Sequence, residues 1–352
     1  MRLPRTAALP ALLLAAIFLA YLGSLSAGFA GDARGLVLED LRVRDPSPAN
    51  LANIFTHTYW WPYGESGLYR PVTTLSYLFN YSILGDARDP AGYHAANLLL
   101  HLLNALLLYF AARRFVPSST AAWIAAIWGL HPALTESVAS IAGRPDLIAA
   151  ACTLGGLLLY WKSTDSAGAP RIAWLCALGL VTLTGALAKE SAAILPAIVL
   201  LYEFLWRRER RWRGLPGGMI AMLLALQIMF YLRAAALSPL PPVQFPFWDN
   251  PIAAAGFWTG RGAALAILAR ECAILLWPAH LSSDYSWAQI LPDAVAWIGL
   301  PTALATLAAL VWLWKRSRTA FFLAAAALAA WLPSSNLLFP IGAIMAERFL
   351  YL

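Results

Sequence analysis

Residues 91–114 read AGYHAANLLLHLLNALLLYFAARR. From Tyr93 to Ala112 the stretch carries no Asp, Glu, Lys or Arg, is rich in Ala and Leu, and is closed by Arg113 and Arg114. Ala and Leu favour helix, and roughly 20 apolar residues are what a helix needs to cross the hydrocarbon core of a bilayer. Its polar members fall in register: His94, Asn97, His101 and Asn104 lie at i, i+3, i+7 and i+10, on one helical face. In a spanning helix such a stripe must be turned towards protein or a water-filled cavity. The segment therefore reads as one member of a bundle.

The rest of the chain agrees. Of its 352 residues, 61% are hydrophobic and 12% charged, and the mean hydropathy is +0.64. A soluble domain runs about 45–50% apolar and about 25% charged, so a soluble enzyme, a disordered chain and a repeat solenoid are excluded. Further apolar runs lie at Leu9–Phe29, Thr120–Leu134, Leu147–Trp161, Ile172–Ala188, Ala192–Trp206, Met219–Leu237, Ala294–Trp314 and Thr319–Leu338. A bilayer interior leaves no water to satisfy open backbone groups, so these runs are helical. The expectation is an all-α polytopic membrane protein with about nine spanning helices in a single transmembrane domain over 1–352. Cys152, Cys176 and Cys272 all sit in apolar runs, which speaks against a disulfide framework or a thiolate zinc site.

Basic clusters set the orientation. Arg2 and Arg5, Arg113 and Arg114, Lys162 and Arg171, the RRERRWR run at 207–213, and Lys315, Arg316 and Arg318 all fall on alternate connections. Those connections are cytoplasmic, and the acid-rich side is extracytoplasmic. The net charge of +7 is thus a topology signal, and no nucleic-acid partner is expected. Parity leaves one run over: Arg261–Trp277, with Arg270 and Glu271 at its middle, must begin and end on the same side. It is expected to be interfacial or re-entrant. The GFA before Gly31 also has the look of a signal-peptide cleavage site, although a 21-residue run favours a retained anchor.

Two extracytoplasmic segments are long, 31–92 and 238–293, and loops of that size carry function or structure of their own. Asp32 lies just past the first membrane exit, and Arg70 lies in the GLYRP end of the first segment. His94 opens the stripe. The segment HPALTESVASIAGRPDL places His131, Glu136, Arg144 and Asp146 on the outer side, Lys189 and Glu190 mark an outer turn, SSDYSW supplies Asp284, and the C-terminal stretch supplies Glu347 and Arg348. Each alone reads as a solvated helix end or an interhelical hydrogen bond. Gathered on one side, they equip a cavity with carboxylates that accept a proton from a hydroxyl and cations that hold a phosphate. That is the chemistry of sugar transfer from a lipid phosphate. No Walker loop, HExxH, GxSxG or dinucleotide fingerprint occurs in a usable context.

The ordered set FAGD, YRP, HxxNxxxH, HPALTESVASIAGRPDL, AKES, LSSDYSW and AERFLYL resembles the transmembrane and tetratricopeptide-repeat (TMTC-like) O-mannosyltransferases and their bacterial relatives, within the C-type (GT-C) membrane glycosyltransferase superfamily. The likeness runs from about Gly28 to the end. It implies a many-helix fold with large extracytoplasmic loops, a polyprenyl- or dolichyl-phosphate sugar as co-substrate, commonly mannose, and a protein hydroxyl as acceptor. It also implies a catalytic acid in the first loop, which here is Asp32. Family members show two adjacent acids there; this chain has Ala33 in the second place, which weakens a paired-carboxylate or metal-binding step. The family continues into further spans and tetratricopeptide repeats that bind partners, so the chain reads as truncated.

The resulting expectation is inverting, in-line displacement. Asp32 is the general base, and the donor phosphate and substrate are held by residues drawn from Arg70, His94, His131, Glu136, Arg144, Lys189, Asp284 and Arg348. A monophosphate departs readily, so no cofactor is required and no metal ligand is assigned. The expected location is the bacterial inner membrane, or the endoplasmic reticulum membrane in a eukaryote, with the active site extracytoplasmic. The rival readings are a lipid flippase or transporter, which would carry internal repeats and midplane charges, and a non-catalytic membrane scaffold.

Overall fold

A computed structural model describes residues 5–64, 67–210, 214–241, 243–282 and 284–352. Among them the chain is helical throughout, with no strand. The helices are α1 (Arg5–Tyr21), α2 (Pro48–Thr56), α3 (Pro71–Leu78), α4 (Pro90–Ala112), α5 (Ser118–Gly129), α6 (Thr135–Ala139), α7 (Arg144–Thr164), α8 (Gly168–Ala188), α9 (Leu195–Arg210), α10 (Leu215–Leu237), α11 (Phe257–Leu276), α12 (Pro292–Arg316) and α13 (Arg318–Trp331). The side chains of the RRERRWR cluster at 207–213 and of Arg2 and Arg5, read above as cytoplasmic anchors, lie outside the described residues.

Among the described residues six helical segments are long and apolar enough to cross a membrane: Leu9–Ser26, Pro90–Ala112, Ile141–Thr164, Gly168–Ala188, Leu215–Leu237 and Pro292–Arg316. The other three apolar runs form shorter helices. The run at Thr120–Leu134 stops at Gly129 because Pro132 opens a new 3-10 turn, capped by the His131 side chain. That at Ala192–Trp206 begins as a 3-10 turn, so α9 has 16 residues, and that at Thr319–Leu338 gives the 14 residues of α13 before Pro333.

Proline sets several helix starts. Pro71, Pro90, Pro145 and Pro292 occupy the first positions of α3, α4, α7 and α12, where a missing N–H costs nothing. Asp89 caps α4 by accepting from the Ala91 amide at 3.0 Å. The polar groups at the heads of α4 and α7 are therefore held at fixed depth.

The stripe on α4 faces protein. Asn97 donates to the Ser140 carbonyl at 2.8 Å. His101 contacts the Tyr351 hydroxyl at 2.7 Å and the Gly129 carbonyl at 2.9 Å. Asn104 donates to the Leu147 carbonyl at 2.9 Å and to Tyr351 at 3.0 Å.

Both long segments are folded. In the first, Leu36, Val37, Ile54, Tyr59 and Tyr77 form a core with Tyr93 and Ile141, while a buried Arg42 grips Asp40 and donates to the Thr58 and Tyr59 carbonyls. In the second, α11 buries Ala263, Ile267 and Ile274 against Ala133, Tyr285 and Ile344. It meets α12 backbone to backbone: a Cβ on Gly299 would lie 2.5 Å from the Gly262 carbonyl oxygen. α11 is not among the six crossing segments. Arg270 stacks 5.0 Å above the Tyr285 ring, and buried Glu271 accepts a hydrogen bond from the Trp331 indole.

Candidate functional site

α8 ends at Ala188, so Lys189 and Glu190 leave the bundle at one end, where Glu190 meets Arg70 at the head of α3 and Arg233 near the end of α10. Glu190 there collects two arginines. Its Oε2 accepts from Arg70 Nη2 at 3.1 Å and Nε at 3.2 Å, and its Oε1 accepts from Arg233 Nη1 at 3.1 Å. Burial pushes the Glu190 carboxyl up, but Arg70 and Arg233 outweigh it and hold it below the ordinary glutamate value. Arg233 also donates to the Gly67 carbonyl at 2.9 Å. Lys189 is bonded to Asp146 and lies 5.2 Å over the Phe349 ring; burial lowers its pKa, and Asp146 resists that shift. Three cations thus share two carboxylates, leaving an excess of positive charge.

The charged groups form a continuous set. Arg70 sits 5.4 Å over Tyr59, a phenol that Asp32 influences electrostatically. Asp146 acts on both Arg70 and Glu136. Glu136 is tied to Arg348 through both oxygens, at 2.6 Å to Nη1 and 2.9 Å to the backbone amide. Burial still leaves Glu136 with a raised pKa, because Arg348 offsets only part of the desolvation. Asp32 is exposed, with no hydrogen bond or ion pair on its carboxylate among the described residues. Gly31, at φ +51, makes the turn that sets Asp32 outward.

Beside this set lies a cavity of about 440 Å³. Its wall comes from Ala27, Gly28 and Ala30 just before Asp32, from 135–141, from Leu281 and Ser282, and from Glu347. The motifs FAGD, HPALTESVASIAGRPDL, LSSDYSW and AERFLYL therefore meet at one place. Glu347 accepts at Oε1 from the Ser282 amide (2.6 Å) and the Tyr285 hydroxyl (2.8 Å). Burial and then Glu347 push the Tyr285 phenol up to about 12, keeping it a proton donor.

Not every expected residue comes to this place as a ligand. Arg144 is 1% exposed and donates to Asn97, Asn80 and the carbonyls of Ser76 and Tyr93. It clamps α3, α4 and α7 together, with four of its five N–H donors spent on them, and it does not line the cavity. His131 spends Nδ1 on the Ala133 amide and Nε2 on the Leu275 carbonyl, which pins the end of α11. The Asp284 side chain is exposed and does not line the cavity. His94 lies under the wall: it is 2% exposed, neither ring nitrogen is hydrogen-bonded, and Ala27, Gly28 and Ala139 are its neighbouring backbone groups. The sequence reading assigned no site role to Arg233, whose only signal was a cation near the outer end of an apolar run. Among the described residues no group of three or more His, Cys, Asp or Glu is placed to hold a metal ion.

An all-helical, multi-pass membrane protein with a cluster of paired charged groups at one end of the bundle is the class these features define. The chain is TMTC-like. It is 31% identical to protein O-mannosyl-transferase Tmtc1 of Drosophila melanogaster, across 76% of this chain and 33% of that protein. It is 33% identical to Tmtc2 of the same organism, across 76% and 29%, and 26% identical to Tmtc3, across 96% and 44%. The chain thus spans between about a third and a half of the length of these curated relatives. No family model matches the chain, and no solved structure does.

Proposed function

We propose that the chain is a membrane glycosyltransferase of the GT-C type, moving a sugar, mannose by the names of its relatives, from a polyprenyl-phosphate donor to a hydroxyl on a protein. The carrying observation is the convergence of four sequence-distant motifs on one cavity beside an unbonded Asp32. Asp32 takes the proton of the attacking hydroxyl. The hydroxyl oxygen forms the new glycosidic bond as the bond to the phosphate oxygen breaks, with inversion at the sugar carbon. The departing lipid phosphate is met by the cationic side of the site, where Arg70, Arg233 and Lys189 outnumber Glu190 and Asp146. Arg348 stands nearby on Glu136. An apolar crevice of about 250 Å³ between α4, α5, α7 and α13, lined by Leu108, Phe115, Leu157 and Phe322 among others, offers room for isoprenoid chain.

In this reading α5, α9 and α13 also cross, giving nine spans. α11 lies in the outer interface, and the site faces away from the cytoplasm, in a bacterial inner membrane or an endoplasmic reticulum membrane. The test is transfer itself. Purified protein in lipid nanodiscs, given radiolabelled polyprenyl-phosphate mannose and a Ser/Thr-rich acceptor peptide, should move label to peptide and release lipid phosphate. Movement of lipid across the bilayer without transfer would mark a flippase, and neither would mark a scaffold.

A further inference from the structure

Two acids line the cavity, and they differ in how they are neutralised. Glu136 is matched by Arg348 through both oxygens. Glu347, 3% exposed, meets no cation among the described residues: its partners there are two neutral donors, and both bind Oε1. Oε2 has no hydrogen bond among the described residues, and the residue forms part of the wall. That oxygen is not among the fully buried unpartnered atoms, and from the cavity wall it can accept from whatever fills the cavity. Excess negative charge at this wall disfavours a phosphate. Around it stand the hydroxyl-bearing residues Thr135, Ser140 and Ser282 among small apolar ones. At about 440 Å³ the cavity falls within the range of about 300–1,000 Å³ typical of small-molecule sites.

We propose that Glu347 is a sugar-binding residue: Oε2 accepts a hydroxyl of the transferred sugar, Tyr285 and the Ser282 amide fix its direction, and the carboxylate thereby sets which sugar is accepted. The proposal rests on the transferase reading for the identity of the ligand. It divides the site into an anionic sugar side and a cationic phosphate side. Glu347 also supplies a second carboxylate from the far end of the chain, where the first loop has only the buried Ala33.

Glu347→Gln is the informative substitution, because the amide oxygen still accepts from Ser282 and Tyr285 while a donor replaces the open acceptor. Binding of methyl α-D-mannopyranoside to the full chain in nanodiscs is followed by saturation-transfer NMR, beside the donor-transfer assay. Wild type should bind saturably, and Glu347→Gln should weaken binding at least tenfold at unchanged melting temperature. Tyr285→Phe, which keeps the carboxylate, should weaken it about threefold, and Asp32→Asn should bind as wild type does. In transfer, Glu347→Gln should raise KM for the donor tenfold and narrow the preference between mannosyl and glucosyl donors. Absence of mannoside binding to wild type, or Glu347→Gln matching wild type in binding and KM, overturns the proposal. If Glu347→Gln lowers the melting temperature, Tyr285→Phe decides, and wild-type binding there overturns it. Mannoside binding lost in Glu347→Gln, without transfer by wild type from any lipid-phosphate sugar, would refute the transferase reading, overturn the sugar's being a transferred one, and keep only Glu347 as its ligand.

Discussion

Glu136 holds Arg348 across 212 residues of chain with both carboxylate oxygens, one on the guanidinium and one on the backbone amide. The bond fixes the AERFLYL stretch against α6, and Glu347, the residue before Arg348, lies on the cavity wall. The charge on Glu136 is consumed in doing so. Asp32, two residues after the wall residue Ala30, has no such bond on its carboxylate among the described residues.

Asp32→Asn separates chemistry from folding. Its carboxylate is exposed and bonds to nothing described, so the melting temperature and membrane insertion should not change. Transfer from polyprenyl-phosphate mannose should fall about 10²–10⁴-fold, the usual worth of a general base. Wild-type turnover in this variant would remove Asp32 from the mechanism.

Arg144→Lys should do the reverse. A lysine cannot reproduce a fork that reaches Asn97, Asn80, Ser76 and Tyr93 at once. Loss of two bonds to a charged group, each worth about 1.5 kcal/mol, costs about 3 kcal/mol. Thermal unfolding monitored by thiol reactivity should shift down by roughly 5–10 °C. An unshifted midpoint would contradict the clamp.

Gly143→Ala tests the turn between α6 and α7. A Cβ there would stand 2.2 Å from the Ser137 carbonyl oxygen, a backbone atom that cannot swing away. Relief requires moving 136–140, which carries Glu136 and part of the cavity wall. We expect a loss of about 1–3 kcal/mol together with impaired transfer. Full activity at an unchanged melting temperature would show that the turn can relax harmlessly.

The stability of the Arg70–Glu190–Arg233 cluster should depend on acid. The Glu190 pKa is lowered in the folded chain, so its stabilisation is fully present above the ordinary glutamate value, about 4.3, and is lost as pH falls through the folded value. Melting temperatures measured from pH 7 to pH 3 should drop mainly below that ordinary value, and Glu190→Gln should flatten the drop. Its side chain is 30% exposed, so solvent screening limits the effect to about 1 kcal/mol. A steeper acid loss in the variant would put the responsible group elsewhere.

Sidedness can be read by labelling. With Cys152, Cys176 and Cys272 replaced by Ala, an impermeant maleimide should reach Arg88→Cys and Asp284→Cys only from the extracytoplasmic side. Lys315→Cys should react only from the cytoplasm. Arg88 and Asp284 reacting on opposite sides would break the proposed topology.

Periodicity made the α4 stripe legible, and the structure buries all four of its members. What the stripe touches was not legible: Tyr351 lies 250 residues from His101, and Arg144 lies 47 from Asn97. Arg144 and Arg348 look alike as outer cations in the sequence, yet one is walled in and the other lies partly open on Glu136. The difference comes from the short α3, whose Ser76 carbonyl closes over Arg144, and no spacing rule encodes that. Hydropathy likewise could not separate α5 from a full-length run, because the stop at Gly129 depends on the His131–Pro132 turn.

Tyr351 has a wider consequence. Its hydroxyl takes up both His101 and Asn104, and its ring fits against Trp128. The only polar seam identified along α4 is therefore corked by the chain's own phenol. Three polar side chains can therefore sit among apolar helices without turning towards lipid, each no more than 1% exposed.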